Sequence, residues 1–453
     1  MNWHLEKRTI AAIATPLGEG AVAMIRLSGI EAFSIANKIF SKSIEGLAPN
    51  TVTFGKILGK HQETLDEVMI AKFCAPKSFT GEDTIEIYCH GGLLIQKNIL
   101  NRVIEAGAFC ALPGEFSYQA FMNGKIDLAQ AEAIQEIVSA KNEYALKAAE
   151  DQLQGALSKK ILTFRQRLVE NAAIIDAWVD YPEEGLEFKT KEELLFDLED
   201  TYRLIEKLKE TFYEGRKISH GIKLCLLGAP NAGKSSLMNA ILGYDRAIVT
   251  PIAGTTRDVL QEDLLLFGMH FKLIDTAGIR KTEEIVEKEG IRRSFLESEK
   301  SDLTLYVIDS SEPLTEQEKE TILSLVKDKT LLLYNKSDLN PHFEPFSSHD
   351  FVKVSAKTLQ GLDHLKNSIE KKIFSSQTIA KEEVLLTKER HYEALNECLI
   401  NLKNVIDGLN QDISCEFISF DLRMALKALG SIIGFDLSES ILDSIFSKFC
   451  VGK

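Results

Sequence analysis

The apolar run IKLCLL (222–227) passes directly into GAPNAGKS (228–235), which opens the helix-like stretch SSLMNAIL (235–242). Strand, GxxxxGK[ST] and helix in immediate succession leave few folds open, because the chemistry of the loop depends on both neighbours. Gly228 and Gly233 let the backbone curl so that its amides face phosphate oxygens. The helix N-terminus adds the positive end of its dipole. Lys234 reaches the β- and γ-phosphates, and the Ser235 hydroxyl ligates Mg2+. Asn231, Ala232, Gly233, Lys234, Ser235 and Ser236 are the expected nucleotide contacts of this loop. A lone match is weak evidence, since any one phrase could be an ordinary turn.

Further phrases then follow in order, three of them at the ends of strand-like runs. In DTAG (275–278), Asp275 can hold the magnesium shell and Gly278 can offer its amide to the γ-phosphate, with Thr276 and Ala277 between them. In NKSD (335–338), Asp338 can accept two hydrogen bonds from the N1 and N2 groups of guanine, a pair adenine lacks. A site built around such an acceptor rejects the wrong base by about 10⁴–10⁵. Asn335 and Lys336 belong to the same phrase, and in SAK (355–357) a backbone amide of Ser355, Ala356 or Lys357 can cover the guanine oxygen. TPIAGTT (250–256) sits where a switch loop belongs, so Thr250, Pro251, Ile252, Ala253, Gly254, Thr255 and Thr256 are expected near the nucleotide. Thr256 is placed to join Mg2+ when the γ-phosphate is present. The set resembles the translation-factor-like GTPase domain. Ile279 follows DTAG where Ras-type enzymes carry a water-positioning glutamine, so hydrolysis needs another orienting group. Asn231 offers an amide oxygen to a monovalent cation that could supply the missing positive charge.

The rest of the chain differs in texture. TIAAIAT, AVAMIRL, LDEVMIAKF and TIEIYCH within 8–118 are strand-like, and GLLIQKNILNRVIEAG is a helix ending at Gly107. From about 120 to 215 apolar residues recur at helical spacing, with Asp127 as a candidate N-cap and YPEEGLE (181–187) as an interruption. IKLCLL, HFKLIDTAG, LTLYVIDSS, TLLLYNKSD and FVKVSAK alternate with helices, the signature of a doubly wound parallel sheet closing near 374. From about 380 to 449 the chain is helical again. DLSESILDSIFSKF puts Ile441, Leu442, Ile445, Phe446 and Phe449 on one face, with Asp436 and Glu439 in capping-box positions. The fold class is therefore a mixed α/β and all-α multidomain protein, with a Ras-like P-loop domain inserted into a helical one.

Charge and cysteine content narrow the function. A formal net charge of −14 excludes generic nucleic-acid binding, which depends on Lys and Arg neutralising phosphates, so any such contact must be local or supplied by a partner. The seven cysteines form no CxxC, which fits reduced thiols in a cytoplasmic protein. MNWHLEKRTI has no apolar signal-peptide core, and no run is long enough for a membrane span. The terminal CVGK places a thiol, Cys450, and an ammonium, Lys453, at the end of the sequence. Read as a prenylation box it fits poorly, because Gly452 and Lys453 fill the last positions and no polybasic stretch precedes them.

With ATPLGEGAVAMIRLSG, SFTGEDTIEIYCHGG, PGEFSYQAFMNGKIDLAQAEAI, PNAGKSSLMNAILG, AIVTPIAGTTRD, DTAGIR and CVGK in place, essentially the whole chain resembles the MnmE (TrmE) family of tRNA-modifying GTPases. The resemblance implies an N-terminal folate-binding and dimerisation domain (1–119). It implies a helical domain in two parts (120–215 and 377–453) and an inserted GTPase domain (216–376). It implies a homodimer that works with the FAD-dependent partner MnmG as a heterotetramer. Together they place an aminomethyl or carboxymethylaminomethyl group on C5 of the wobble uridine of certain tRNAs. The one-carbon unit comes from 5-formyltetrahydrofolate or another tetrahydrofolate derivative. The implied residues are Asn231, Thr250, Ile252 and Thr255 for K+, Ser235 and Thr256 for Mg2+, and Glu287 for orienting water through a bridging water. Pro251 stands where the family's loop often has aspartate. Arg257 and Arg280 match family arginines near the switches. Arg26, Glu86, Lys125 and Lys453 match the folate contacts, and Cys450 would face the one-carbon unit, with a thiolate if cations lower its pKa. GTP is the substrate, and Glu287, Lys234 and Cys450 are the expected catalytic residues. The competing reading is a ribosome-assembly GTPase, a class that usually appends a basic RNA-binding module. A third is a plain aminomethyltransferase with a vestigial GTPase, against which the intact GKS, DTAG and NKSD speak.

Overall fold

The computed structural model describes residues 8–180, 189–244, 262–274, 298–340, 346, 349–374, 384–435 and 437–452. The chain divides into two compact units. One comprises Met1–Gln135, Leu153–Val169 and Leu426–Lys453; the other comprises Glu136–Gln152 and Glu170–Ala425.

The first unit is built on a six-stranded sheet. Its strands are β1 (Ile10–Ile13), β2 (Gly20–Ser28), β3 (Val52–Leu58), β4 (Thr64–Phe73), β5 (Thr84–Gly91) and β6 (Phe109–Cys110), in the order β3-β4-β5-β2-β1-β6. All pairs are antiparallel except β1–β6. Side chains alternate across the pleat. Ile25, Leu27, Ile57, Val68, Ile70, Ile85 and Ile87 therefore share a core with the helices Ala32–Ile39 and Leu93–Glu105, while the other face is covered at its β1 end by Phe116 and Ala111 and exposed at its β3–β4 end. The sequence reading missed β3, whose VTFGKIL is broken by Gly55. That glycine is required because a Cβ there would lie 2.3 Å from the Phe40 ring. It also missed β6 and the Ala32–Ile39 helix.

Within the same unit, Leu442, Phe446 and Phe449 pack against Tyr118, Leu128 and Ala131. The Phe446 ring meets Tyr118 edge-on at 5.4 Å and Phe449 at 5.2 Å. Ile441, expected on that face, is 42% exposed. The last helix runs Glu439–Phe446 with Ser438 as N-cap and no side-chain capping bond, so the expected Asp436–Glu439 box does not form at its start; Asp436 lies outside the described residues. Asp127 does cap its helix: its Oδ1 accepts from Gln130 N at 2.9 Å, and Gln130 Oε1 accepts from Asp127 N at 3.0 Å. The helical stretch after it is three helices, Leu128–Ser139, Glu143–Leu153 and Ala156–Asp180. The breaks fall where Asn142 caps Ala145 N (2.8 Å) and where Gly155 takes φ +82°.

The second unit carries the parallel sheet. Its strands are β7 (Ile222–Gly228), β8 (Glu262–Leu266), β9 (Met269–Ile274), β10 (Leu303–Asp309), β11 (Thr330–Asn335) and β12 (Asp350–Lys353), ordered β12-β11-β10-β7-β9-β8. Only β8 runs antiparallel, as an edge hairpin with β9 that the sequence reading did not list. β10 and β11 are buried along nearly their whole length, which is why they read as continuous apolar runs. Helix Lys191–Glu210 opens on a full capping box, Thr190 with Glu193, and packs along helix Glu389–Asn410. The YPEEGLE interruption (181–187) lies outside the described residues. Among the described residues no helix is long and apolar enough to cross a membrane.

Candidate functional site

The C-terminal end of β7 delivers Gly228 at φ +141°, where a Cβ would stand 2.2 Å from Val307 O of β10. The loop then turns through left-handed Asn231 (φ +66°) and Gly233 (φ +88°) into the helix Lys234–Tyr244. Gly233 has a second reason to be glycine: a Cβ would sit 2.3 Å from Asn335 Nδ2. Ala232 is buried, whereas Asn231, Ser235 and Ser236 are exposed at the loop and the first helical turn, whose amides have no intrahelical acceptor. Lys234 Nζ folds back to donate to Gly228 O (2.7 Å) and Ala229 O (2.8 Å). Burial pushes its ammonium below the usual lysine range. The loop is thus a concave ring of donors closed by a desolvated cation, an arrangement that fits a polyphosphate.

β11 brings NKSD to the same end of the sheet. Asp338 Oδ1 accepts from Ser355 Oγ at 2.7 Å, and Ser355 Oγ in turn accepts from Thr358 N at 3.1 Å. Ser355 is a positioning residue that aims the carboxylate. Asn335, only 1% exposed, ties three segments together. Its Nδ2 donates to Ala232 O (3.0 Å), its Oδ1 accepts from Ala356 N (3.1 Å), and its carbonyl accepts from Ser310 N (3.0 Å) and Oγ (2.7 Å). Asn335 and Ala356, both expected among the nucleotide contacts, are bonded to each other. Lys336, at φ +59°, pairs with Asp309 at the end of β10. Burial pushes the Asp309 carboxyl up, but hydrogen bonds from Lys336 and Ser311 outweigh it and hold the group below its ordinary range. Asp309 has no role in the expectations above, although VIDSS ends a strand just as NKSD does. Lys357 is exposed beside this loop. Thr250, Pro251, Ile252, Ala253, Gly254, Thr255, Thr256, Arg257, Asp275, Thr276, Ala277, Gly278, Ile279, Arg280 and Glu287 lie outside the described residues, as does Lys453.

In the first unit, Arg26 on β2 and Glu86 on β5 are register partners on the sheet face away from the two helices. Arg26 Nε and Nη2 both approach Glu86 Oε1 at 3.0 Å, and Tyr88 Oη donates to Glu86 Oε2 at 2.6 Å. Burial, then the bond to Glu86, pushes the Tyr88 phenol up to about 12. The guanidinium lies near the rings of Phe79 (5.5 Å) and Phe116 (5.7 Å), which fix it by cation–π attraction. Its Nη1 donates to Gly452 O at 3.2 Å. The terminal segment is therefore docked. Gly114 N donates to Cys450 O (3.3 Å), and Gly452 sits at φ +91° with no room for a Cβ, 2.7 Å from Ala14 Cα. Cys450 is exposed. Lys125 Nζ donates to Pro76 O (2.9 Å), and Asn123 Nδ2 to Thr80 O (2.8 Å), on the loop that carries Phe79; Thr80 Oγ1 bonds Ser28 Oγ (2.7 Å) on β2. Arg26, Glu86, Lys125 and the Cys450–Gly452 segment are thus linked through one connected set of contacts. Tyr88, Phe79 and Phe116 were not singled out from sequence. Tyr88 had the available signal, two residues from Glu86 on the same strand face.

Residues 128–450 match the family model "MnmE helical domain", and residues 9–125 match "GTP-binding protein TrmE N-terminus". The chain is 50% identical over 446 residues to the tRNA modification GTPase MnmE of Protochlamydia amoebophila, covering 98% of this chain and 97% of that one. It is 41% identical over 453 residues to the protein of the same name from Chlamydia trachomatis serovar L2, covering 99% and 100%. Among solved structures, the G domain of the T. maritima FeoB iron transporter aligns at 27% identity with a TM-score of 0.26, covering 34% of this chain and 99% of that one. A phosphate loop at the end of a parallel sheet, the NKSD phrase beside it and 41–50% identity to both relatives over nearly the full length lead to one conclusion: the chain is a GTPase and belongs to the MnmE (TrmE) family.

Proposed function

We propose that this GTPase modifies tRNA in the cytoplasm, using GTP hydrolysis to drive a domain movement while a tetrahydrofolate derivative supplies a one-carbon unit. The proposed domains are folate-binding and dimerisation (1–119), helical (120–215 and 377–453) and GTPase (216–376). In the GTPase site Lys234 neutralises the β- and γ-phosphates, and Ser235 and Thr256 hold Mg2+, which screens the phosphate charge when bound. Asn231, Thr250, Ile252 and Thr255 hold K+, and Glu287 orients the attacking water. Asp338, aimed by Ser355, selects guanine. The exposed amide of Asn231, on a left-handed turn at the mouth of the loop, supports the cation assignment.

The observation that carries the folate reading is the Arg26–Glu86 pair with the Gly452 carbonyl bonded to it. Each Glu86 oxygen already accepts from Arg26 or Tyr88, and each keeps a second lone pair for the adjacent donors of a pterin edge. Lys125 and Lys453 serve the glutamyl tail and formyl oxygen, and Cys450 faces the one-carbon unit. A homodimer is supported by the exposed β3–β4 end of that sheet face. Phe54, Met69, Tyr88 and Met24 follow one another in register across β3, β4, β5 and β2, with Phe54 57% and Met69 47% exposed. In this reading the dimer joins FAD-dependent MnmG in a heterotetramer that adds an aminomethyl or carboxymethylaminomethyl group to C5 of the wobble uridine. The test is titration with 5-formyltetrahydrofolate and hydrolysis in K+ against Na+. Glu86→Gln should weaken folate binding at least tenfold, and K+ should raise hydrolysis well above the Na+ rate. Equal folate affinity would sink the first assignment, and equal rates the second.

A further inference from the structure

We propose that a narrow basic and aromatic strip, formed by Lys209, Tyr213, Arg216 and His220 and flanked by Lys272 and Lys388, is where this protein meets RNA. The phosphates would lie on the cations and one unstacked base on Tyr213. The inference rests on the tRNA reading above and names the surface that serves it. All six residues, and Tyr392 beside them, belong to the second unit.

Helix Lys191–Glu210 continues into helix Phe212–His220 through Thr211, whose φ of −63° and ψ of −15° keep the right-handed screw. Residues 209, 213, 216 and 220 recur at i, i+4, i+7 and i+11, so they line one edge of that screw. Leu208, Phe212, Gly215 and Ile218 are its buried side. Tyr213 is 59% exposed. It does not swing freely: its Oη lies 3.2 Å from Tyr392 Oη, and the Tyr392 ring stacks on Phe212 at 4.8 Å. That makes a stiff platform of the kind on which bases stack without sequence preference.

The cations are only partly engaged in holding the fold. Lys209 Nζ bonds a neutral partner, Asn396 Oδ1, at 3.3 Å. Among the described residues no carboxylate ion-pairs with Lys209, Arg216 or Lys272, whereas Lys388 shares Glu136 at 3.2 Å. The charges crowd one another. Burial first, then Lys272, Lys388 and Arg216, holds the His220 imidazole below its ordinary range, against a weaker pull from the Arg216 backbone. Lys209, Arg216 and Lys272, with no carboxylate ion-paired to them in a chain of net charge −14, suit a polyanion. Glu210 and Glu214 occupy the next edge of the same helices and bound the positive strip on that side, while Glu206, one turn before Lys209, closes its end.

The test is binding of a labelled, unmodified tRNA transcript to the full chain by fluorescence anisotropy across a salt series. Lys209→Ala with Arg216→Ala should weaken binding about 20-fold near physiological salt and lower the slope of log affinity on log salt by about 1.5. Tyr213→Ala should cost about 5- to 100-fold and Tyr213→Phe little. GTP hydrolysis without tRNA should stay at the wild-type rate in all three, which also shows that the variants fold. A Lys209→Glu, Arg216→Glu variant that binds tRNA as wild type does would overturn the surface while leaving the tRNA reading intact. The same variant losing only a protein partner would assign the strip to that partner and also overturn it. A wild-type chain that does not bind tRNA would overturn the surface and count against the reading beneath it.

Discussion

Replacing Asn335 with alanine tests whether the nucleotide loops are held by the base or by each other. The side chain carries two hydrogen bonds, one to the Ala232 carbonyl of the phosphate loop and one from the Ala356 amide. Removing it strands both groups. Ala232 is 1% exposed, so its carbonyl loses the full desolvation term, while the half-buried Ala356 regains part of its bond from solvent. At about 1–3 kcal/mol for each stranded group, the cost is about 2–4 kcal/mol. Most of it falls on loops that the nucleotide must then order itself, so GDP affinity should drop about 10- to 100-fold. Asn335→Asp should be no milder, because it turns a carboxylate oxygen toward the Ala232 carbonyl. The assay is equilibrium titration with fluorescent GDP and with inosine diphosphate, which lacks the 2-amino group. A brace touches no base, so Asn335→Ala should weaken both nucleotides in parallel, whereas Asp338→Asn should act on base choice. GDP affinity within threefold of wild type, or a loss confined to GDP, would refute the reasoning.

Two further predictions concern other places. Gly452→Ala forces a side chain into a left-handed position 2.7 Å from backbone atoms of Ile13 and Ala14, neither of which can yield cheaply. The docked segment should release, so limited trypsin cleavage after Lys448 should accelerate while GTP hydrolysis stays unchanged; an unaltered cleavage rate would count against the docking. His270 is buried beside Gly221, and burial pushes its imidazole below the ordinary range, outweighing the opposing pull of Asp263 at 3.2 Å; Lys141 and Lys272 reinforce the depression. The unfolded chain then takes up a proton near pH 6.5 that the folded chain refuses. Stability from this group is complete above that pH and is lost as pH falls, by at most about 1.4 kcal/mol per pH unit. His270→Phe should reduce the acid-side slope of thermal stability by that amount, and an identical slope would disprove the assignment.

The periodicities that named the elements were local, and they worked where burial is uniform. β10 and β11 are buried throughout and read plainly, as did the helix capped by Asp127. The reading failed where long-range packing overrode the local signal. Gly55 lies inside a strand only because Phe40 takes its Cβ space. Ile441 keeps the spacing of a buried face yet points outward, because Leu442, Phe446 and Phe449 already fill the contact with Tyr118.

By itself the sequence determined the phosphate loop, the NKSD phrase at a strand end and the family, because those depend on residue types at fixed spacing within a few turns of chain. It could not decide that Asn335 binds its own loops together, that Ser355 aims Asp338, or that Lys336 meets Asp309. The resemblance placed Lys453 and Cys450 with Arg26 and Glu86, but it could not name the bond from Arg26 to the Gly452 carbonyl, 426 positions away. Those pairings join segments distant in sequence, and hydrogen bonds act over about 3 Å. Only the packed chain brings such groups that close.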